Sequence, residues 1–329
     1  MGVGSPDMSG PAVSVIVPTR NRASSLAKLL VSLDAQTHTD FEVVVVDDGS
    51  TDSTPDVAQR SPRVRYVRGS ASGAVDARIL GVKMATGATL AFTDDDCIVD
   101  PGWLAAGVAA IESGADVAQG RTLPQREPLP LERTVEHDAE DRLYATCNVF
   151  YRRVAFERVG GFDTFAGERL GFRSTRRARA MGFGEDSLLG WMVARAGPSV
   201  AVREAVVRHE VLRPSLRELF YREWIVGGFP RLLREVPELR WTLIRRRIVL
   251  GYTGPRLWVY PALLVLVPPL QLLGVAGMIA WVGARTRALV KRPGSLGQRL
   301  RALPIEMALD LTRAAALMLG SALARKLVI

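Results

Sequence analysis

Two acid clusters, Asp47-Asp48-Gly49-Ser50 and Asp94-Asp95-Asp96, are the residues of this chain best placed to do chemistry, because each follows directly on a short apolar run. Three adjacent carboxylates repel one another. In a crevice partly shielded from water that repulsion raises their pKa values unless a positive charge offsets it. A divalent cation holding a diphosphate meets this need, since hard oxygen ligands suit Mg2+ or Mn2+, commonly held by one or two carboxylates plus the phosphates of a substrate. The competing account makes Asp94 to Asp96 a cap for a helix starting near Pro101. A cap uses one Asp just before the helix and leaves the other two unexplained.

The elements that must position these acids are legible around them. The runs FEVVVV (41–46) and ATLAFT (88–93) are short and β-prone, as strands covered on both faces by helices should be. In an open α/β sheet the ligand crevice lies at the carboxyl ends of the strands, where both clusters fall. A first strand, Val13-Ser14-Val15-Ile16-Val17, ends in Pro18-Thr19-Arg20-Asn21-Arg22, and a helix carrying Leu26, Leu29, Leu30 and Leu33 follows. Strand, polar turn, helix, strand and acid turn make a βαβ unit. A third unit runs through Val64-Arg65-Tyr66-Val67 and a Gly/Ser turn into a helix over about 73–86, which delivers Arg78 below the Asp94 strand.

The phrases VSVIVPTRNR, VVVVDDGSTD, ARILGVKMATGATLAFTDDDC, NVFYRRVAFERVGGFD and GEDSLLGWMVARAG occur in that order. Together they resemble the inverting glycosyltransferases of family 2, which have the GT-A fold, over roughly residues 12–215. The resemblance implies an α/β domain, Rossmann-like, with a mostly parallel sheet flanked by helices. Pro18, Thr19, Arg20, Asp47 and Asp48 resemble the positions that hold the base and ribose of a nucleotide diphosphate-sugar, and Arg78 resembles one that approaches the base. Asp94, Asp95 and Asp96 match the DxD motif, with Asp96 expected to bind the metal, Asp94 the ribose or metal, and Asp95 lying within the donor site. Asp186 matches the family's catalytic base. Inversion requires one, because the acceptor hydroxyl must lose its proton as it attacks the anomeric carbon opposite the departing diphosphate. A metal stabilises the charge building on that leaving group. Asp186 also fits an N-cap for the apolar stretch 188–194, and the two roles are compatible.

The chain departs from the family pattern at Leu188 and Met192, where an acid and an Arg are usual, and at Ile79, where an Asn commonly follows the Arg of the third helix. These positions bear on the acceptor and the nucleotide rather than on the reaction type. Asn148, Gly161 in the Gly160-Gly161-Phe162-Asp163 turn, and Glu185 are acceptor-side candidates; the paired glycines allow positive backbone dihedrals and close approach to a sugar. His209, after a last strand through Val206-Val207-Arg208, is expected to complete the metal or diphosphate shell, against the plainer reading of an ordinary hydrogen-bonded imidazole. His38 and His137 read as solvated. Cys97 and Cys147 give neither metal spacing nor a disulfide framework, and free thiols are consistent with a reducing compartment. Five arginines fall between 169 and 179. They read as a solvated loop or as a flap whose Arg173 and Arg176 contact a diphosphate or anionic acceptor. Residues 123–142 lack clean periodicity and are expected to carry acceptor contacts.

With 329 residues there is room for one domain of the implied size and something more. From residue 241 onward 13 Lys/Arg face two acids, whereas residues 1–240 carry 30 against 32, so the net charge of +9 belongs to the tail. Nucleic-acid binding would want a basic patch on the folded domain, and the sequence argues against it. The tail holds 27 charge-free residues, 257–283, interrupted by Pro268-Pro269 and flanked by arginines on both sides. A span needs only ~20 apolar residues, but paired prolines disturb a helix and basic residues prefer the cytoplasmic side. A kinked single span and a re-entrant hairpin both survive, with a buried soluble subdomain as the alternative. Residues 303–327 read as an interfacial or partner helix, because a second span would place the basic connection 284–301 outside. Residues 1–11 read as a disordered N-terminus, neither signal peptide nor span.

The expectation is thus a disordered 1–11, a catalytic domain at 12–215 and a helical, membrane-associated 216–329. The function expected is metal-dependent inverting transfer from a nucleotide diphosphate-sugar to a lipid-linked or cell-envelope glycan, with the catalytic domain cytoplasmic and the cell membrane as partner. A nucleotidyltransferase is the alternative, although the glycine-free Pro18-Thr19-Arg20-Asn21-Arg22 turn fits it poorly; a non-catalytic nucleotide-sugar-binding membrane protein would not need Asp186.

Overall fold

The computed structural model describes residues 11–163, 184–240 and 255–325. Arg173 and Arg176, with the rest of the arginine-rich segment, lie outside the described residues. The described chain divides into two compact units. The first comprises 11–123, 135–163 and 184–210, and the second 124–134, 211–240 and 255–325.

The first unit begins with alternating strands and helices: β1 (Val13–Thr19), α1 (Ala23–Asp34), β2 (Phe41–Asp47), α2 (Thr54–Gln59), β3 (Val64–Arg68), α3 (Ala74–Met84) and β4 (Thr89–Phe92). These strands lie parallel in the order β3-β2-β1-β4, with Val13 opposite both Phe41 and Thr89. There follow β5 (Cys97–Val99), α4 (Trp103–Glu112), β6 (Val117–Pro124), β7 (Val149–Arg152), α5 (Arg153–Arg158), α6 (Glu185–Ala196) and β8 (Ser199–His209). The eight-stranded sheet runs β3-β2-β1-β4-β7-β6-β8-β5, and β7 joins β4 and β6 antiparallel, as β5 joins β8. The sheet is therefore mixed, a parallel half carrying the acid turns and an antiparallel half beside it.

Residues of β1 are buried throughout, which explains their continuous apolar run. Val13, Val15 and Val17 join Leu26, Leu29, Leu30 and Leu33 of α1 and Trp103, Leu104, Val108 and Ile111 of α4 in one core. On the other face Ile16 meets α3 at Gly81, where a Cβ would lie 2.6 Å from the Ile16 side chain. Burial of each such Val or Leu is worth about 1.5–3 kcal/mol, so the strand ends that carry the acids are firmly held.

The second unit contains α7 (Leu216–Ile225), α8 (Phe229–Glu235), α9 (Val259–Leu263), α10 (Gln271–Val290) and α11 (Leu296–Ala324). Ser215 and Glu218 form a capping box that starts α7, and Ser295 with Gln298 does the same for α11. Helix α11 packs on α7, α8 and α10, and at Gly320 its backbone approaches the Gly227 carbonyl so closely that a Cβ would collide. Two helical stretches, Pro268–Val290 and Leu296–Ala324, are long and apolar enough by composition to cross a membrane. Residues 124–134 are tied into this unit by Glu132, which accepts from Arg126 (2.6 Å), Arg213 (2.6 Å) and the Leu129 N–H.

Candidate active site

The parallel strands end where the sequence placed the acids. Asp47, fully buried, is spent on its own turn: it accepts from the Ser50 N–H at 2.7 Å and from the Tyr66 hydroxyl at 2.8 Å. Burial pushes its carboxyl up, but the bonds from Ser50 and Tyr66 and the charge of Arg68 leave it below the usual range. Asp48 accepts from the N–H groups of Ser72 (2.9 Å) and Gly73 (2.8 Å) where α3 begins. Arg20 is half exposed and stands 3.9 Å from Asp48. Pro18 is buried, and Thr19 donates its hydroxyl to Asp95 Oδ2 at 2.7 Å. The two acid clusters are thus joined through β1.

The second cluster is neutralised by two arginines. Arg78, buried on α3, donates to Asp94 Oδ1 at 2.7 Å. Burial pulls its guanidinium down, and the field of Asp94, Glu185 and Asp186 more than restores it. Arg22 donates to Asp96 Oδ2 at 2.9 Å and stands 3.8 Å from Asp95. The sequence places Arg22 at the end of a turn without showing a role for it, whereas Arg20 is the arginine expected at the nucleotide's base and ribose. The available signal was the two-residue spacing of the arginines in a turn that faces three acids. Asp95 is pushed up to about 7, chiefly by burial, against the pull of Arg22 and Thr19. Burial pushes Asp96 up as well, opposed by His209 and Arg22.

His209 reaches this cluster through register, because β5 pairs Cys97 with His209. Its Nδ1 is 2.9 Å from the Glu210 carbonyl, so Nδ1 carries the proton in the neutral ring and Nε2 presents a lone pair. Nε2 lies 3.4 Å from Asp96 Oδ1, a buried oxygen without a hydrogen-bond partner. An imidazole nitrogen and an orphaned carboxylate oxygen facing each other fit a divalent cation between them. Cys97 Sγ lies in the same cluster within 4.8 Å, but burial pushes its thiol well up. Its sulfur is a softer ligand than Mg2+ or Mn2+ prefers. The residues present therefore fit Mg2+ or Mn2+, with Asp96 and His209 as ligands and Asp94 beside them.

Gly184 enters α6 with φ +75°, a conformation that favours glycine. Asp186 follows in the first turn, half-buried, its Oδ1 accepting from the Ser187 N–H at 2.7 Å. Burial and the neighbouring Glu185 push it up to about 7, against Ser187 and Arg78. A carboxyl that gives up its proton near neutrality is suited to general-base work. Glu185 is buried beside the same arginine.

Other candidates are placed differently. Asn148 is fully buried, and its amide accepts from Trp103 Nε1 (2.8 Å) and donates to the carbonyls of Arg121 and Ala205 (2.9 Å each). It rivets α4, β6 and β8 together, so the acceptor-side reading of Asn148 is corrected to a structural one. Gly161, with φ +69°, lines a cleft of about 250 Å³ formed by Ile79, Val82, Phe156 and Phe162 with Lys83 and Glu157, and neither acid cluster nor Asp186 lines it. His137 is buried rather than solvated, 3.3 Å from Gln119 Nε2 and held near 4 chiefly by burial. Leu188, at the position of a usual family acid, is buried in α6.

A Rossmann-like half-sheet with paired acid turns at its carboxyl end and a carboxyl poised near neutrality opposite defines a protein of the GT-A fold. Residues 14–165 match the family described as Glycosyl transferase family 2. The glycosyltransferase AglE of Haloferax volcanii is 30% identical over 247 residues, 67% of this chain and 81% of that protein. A PGL/p-HBAD biosynthesis glycosyltransferase of Mycobacterium tuberculosis is 32% identical over 175 residues, 47% of this chain and 65% of that one. Among solved structures, the Pyrobaculum calidifontis mannosyltransferase PcManGT with GDP-Man and Mn2+ superposes with a TM-score of 0.53 at 22% identity, covering 98% of this chain and 89% of that one. S. aureus TarS 1-349 with UDP-GlcNAc gives 0.51 at 17% identity, covering 95% and 92%. The chain belongs to glycosyltransferase family 2, and it is a glycosyltransferase. The nucleotidyltransferase and the non-catalytic alternatives are set aside.

Proposed function

We propose that this enzyme transfers one sugar, with inversion and dependence on a divalent metal, from a nucleotide diphosphate-sugar to a lipid-linked or cell-envelope glycan at the cytoplasmic face of the cell membrane. The observation that carries the metal and donor reading is the orphaned Asp96 Oδ1 facing His209 Nε2. It is supported by the nucleotide sugars and the Mn2+ held by the GT-A neighbours. Asp96 and His209 would hold the metal, which when bound supplies positive charge for the leaving diphosphate. Asp186 accepts the acceptor hydroxyl's proton as that oxygen bonds to the anomeric carbon and the bond to the diphosphate oxygen breaks. Arg78, bonded to Asp94 and interacting electrostatically with Asp186, links the donor acids to the base. The envelope acceptor rests on the apolar C-terminal helices and on the likeness to a glycosyltransferase of PGL/p-HBAD biosynthesis.

The test is nucleoside diphosphate release from UDP-, GDP- and dTDP-sugars, with and without EDTA and with Mg2+ or Mn2+ restored, together with the anomeric configuration of the product. Metal-independent turnover or a retained anomer would refute this reading.

A further inference from the structure

The two helical stretches long enough to span a membrane do not have the surroundings of spans. In the middle of α11, Glu306 lies within 3.3 Å of Arg133, Arg285 and Arg292, and Asp310 accepts from Arg256 (2.8 Å), Trp281 Nε1 (3.0 Å) and Arg285. Both acids are 1% exposed. Arg256 and Arg313 also reach Glu223 of α7. Helix α11 is thus clothed by polar partners from α7, from the segment of Arg133 and from α10, and serves as the spine of its unit. Helix α10 buries one stripe of its C-terminal half, Trp281, Arg285 and Leu289.

Its N-terminal half is different. Helix α9 and the turn after it run back along α10 in backbone contact: a Cβ on Gly277 would lie 2.6 Å from the Ala262 nitrogen, and one on Gly274 2.0 Å from that of Val265. The reversal is at Val267-Pro268-Pro269-Leu270. Its prolines bring no N–H, and the N–H groups of Val267 and Leu270 are bonded to Leu264 and Val267 carbonyls. Around it Leu266, Leu272, Leu273 and Ile279 are 60–88% exposed, and residues 257–283 carry no charge. Exposed Trp258 immediately precedes Val259, which packs with Trp281 where the ion-paired base begins, and exposed Arg287 and Lys291 lie beyond it in the chain.

Resting on the proposed membrane attachment, we infer that residues 259–281 form a hairpin wedge that enters one leaflet of an anionic bilayer and leaves on the side it entered. Length decides for one leaflet: Gln271 to Trp281 rises ~15 Å at 1.5 Å per residue, half of a hydrocarbon core of ~30 Å. Two prolines without N–H groups and two bonded N–H groups reduce the number of backbone donors this non-helical turn would bring into hydrocarbon. Tryptophan at the boundary and basic residues outside it match the headgroup layer. The single polar side chain at the tip is Gln271.

The test uses the full-length protein with Leu272→Cys labelled by NBD, the native thiols being buried, on vesicles of phosphatidylcholine and phosphatidylglycerol. The label should shift to the blue, be quenched by acyl-chain nitroxides, and resist dithionite both in intact vesicles and in vesicles opened by a pore former. Reduction only after opening would mean that α10 spans, overturning the hairpin while leaving membrane attachment standing. Reduction from outside would overturn insertion and attachment together. Leu272→Asp with Ile279→Asp, at exposed positions, should lower vesicle-bound protein roughly tenfold or more with unchanged circular dichroism. If those changes instead dissociate a soluble dimer and spare vesicle binding, the surface is a protein interface and the inference fails. None of these readouts uses sugar transfer, so failure of the catalytic reading is scored separately.

Discussion

Replacing Asp186 by Asn separates a catalytic base from a helix cap, because the two roles predict opposite signs for stability. The amide keeps the size of the side chain and an oxygen for the Ser187 N–H, so the start of α6 should persist. As the base is removed, turnover should fall by about 100- to 10,000-fold, a barrier increase of about 3–5 kcal/mol, while donor affinity changes by no more than a few fold. Stability should move the other way. The folded carboxyl holds its proton up to about pH 7, whereas an exposed Asp has a pKa of 3.8. The native state is therefore favoured at low pH and progressively penalised as pH rises from about 4 to 7, after which the penalty is constant. Ionising such a group costs up to about 4 kcal/mol, and the uncharged amide escapes it. Even a quarter of that would raise Tm by about 2–4 °C at pH 8, with the gain vanishing towards pH 4. The wild-type turnover should also show an acid limb near pH 7 that the variant lacks. Stopped-assay kinetics and calorimetry across pH 4–9 would decide. A variant that loses donor binding and melts lower at pH 8 would make Asp186 a structural cap and refute the base.

Asp96→Ala should abolish the metal-dependent part of nucleotide-sugar binding by calorimetry without lowering Tm in EDTA, since it removes a carboxylate that burial disfavours; binding that still responds to Mn2+ would exclude Asp96 as a ligand. Arg22→Gln withdraws the cation nearest Asp95 and Asp96, so Tm in EDTA should fall and Mn2+ should restore most of the loss, whereas a metal-insensitive loss would make Arg22 a packing residue. Asn148→Ala strands the Trp103 indole and two buried carbonyls, and at about 1–3 kcal/mol for a buried unsatisfied group it should cost several kcal/mol in urea titrations with the acceptor KM unchanged.

The parallel half of the sheet was open to reading because strands buried on both faces must be largely apolar, and β1 and β2 are, with Ser14 and Glu42 bonded to each other across them. The antiparallel half gave less. β5 has three residues and follows the acids without a break, and β8 carries Arg203, Glu204 and Arg208 on an exposed face, so neither shows a continuous apolar run. Asn148 was misplaced for a related reason. A buried amide looks like a ligand group until the space around it is known, and that space is made by Gly120, where a Cβ would strike both the Asn148 side chain and the Ala205 carbonyl. The site was partly legible: the sequence put Asp94 to Asp96, Arg78 and Asp186 in one region, but which cation answers which acid is decided by register and helix placement. His209 meets Asp96 only because β5 and β8 pair, across more than a hundred residues of chain.

Charge in the tail shows the same limit from the other side. Counting residues from 241 onward finds a large basic excess, and a sequence reader assigns all of it to the membrane surface. The structure spends much of it internally: Arg256, Arg285, Arg292 and Arg313 are ion-paired with Glu306, Asp310 and Glu223. Glu223 lies outside the counted segment altogether. Removing one partner from such a cluster leaves a buried charge uncompensated, at about 3–5 kcal/mol, so this network holds the base of the hairpin. Among the described residues Arg287 and Lys291 face outward, and at ~1 kcal/mol each near an anionic leaflet they would orient the unit on the proposed membrane without anchoring it. On the proposed hairpin, anchoring falls to the apolar reversal at Pro268 and Pro269, whose worth no charge count could have shown.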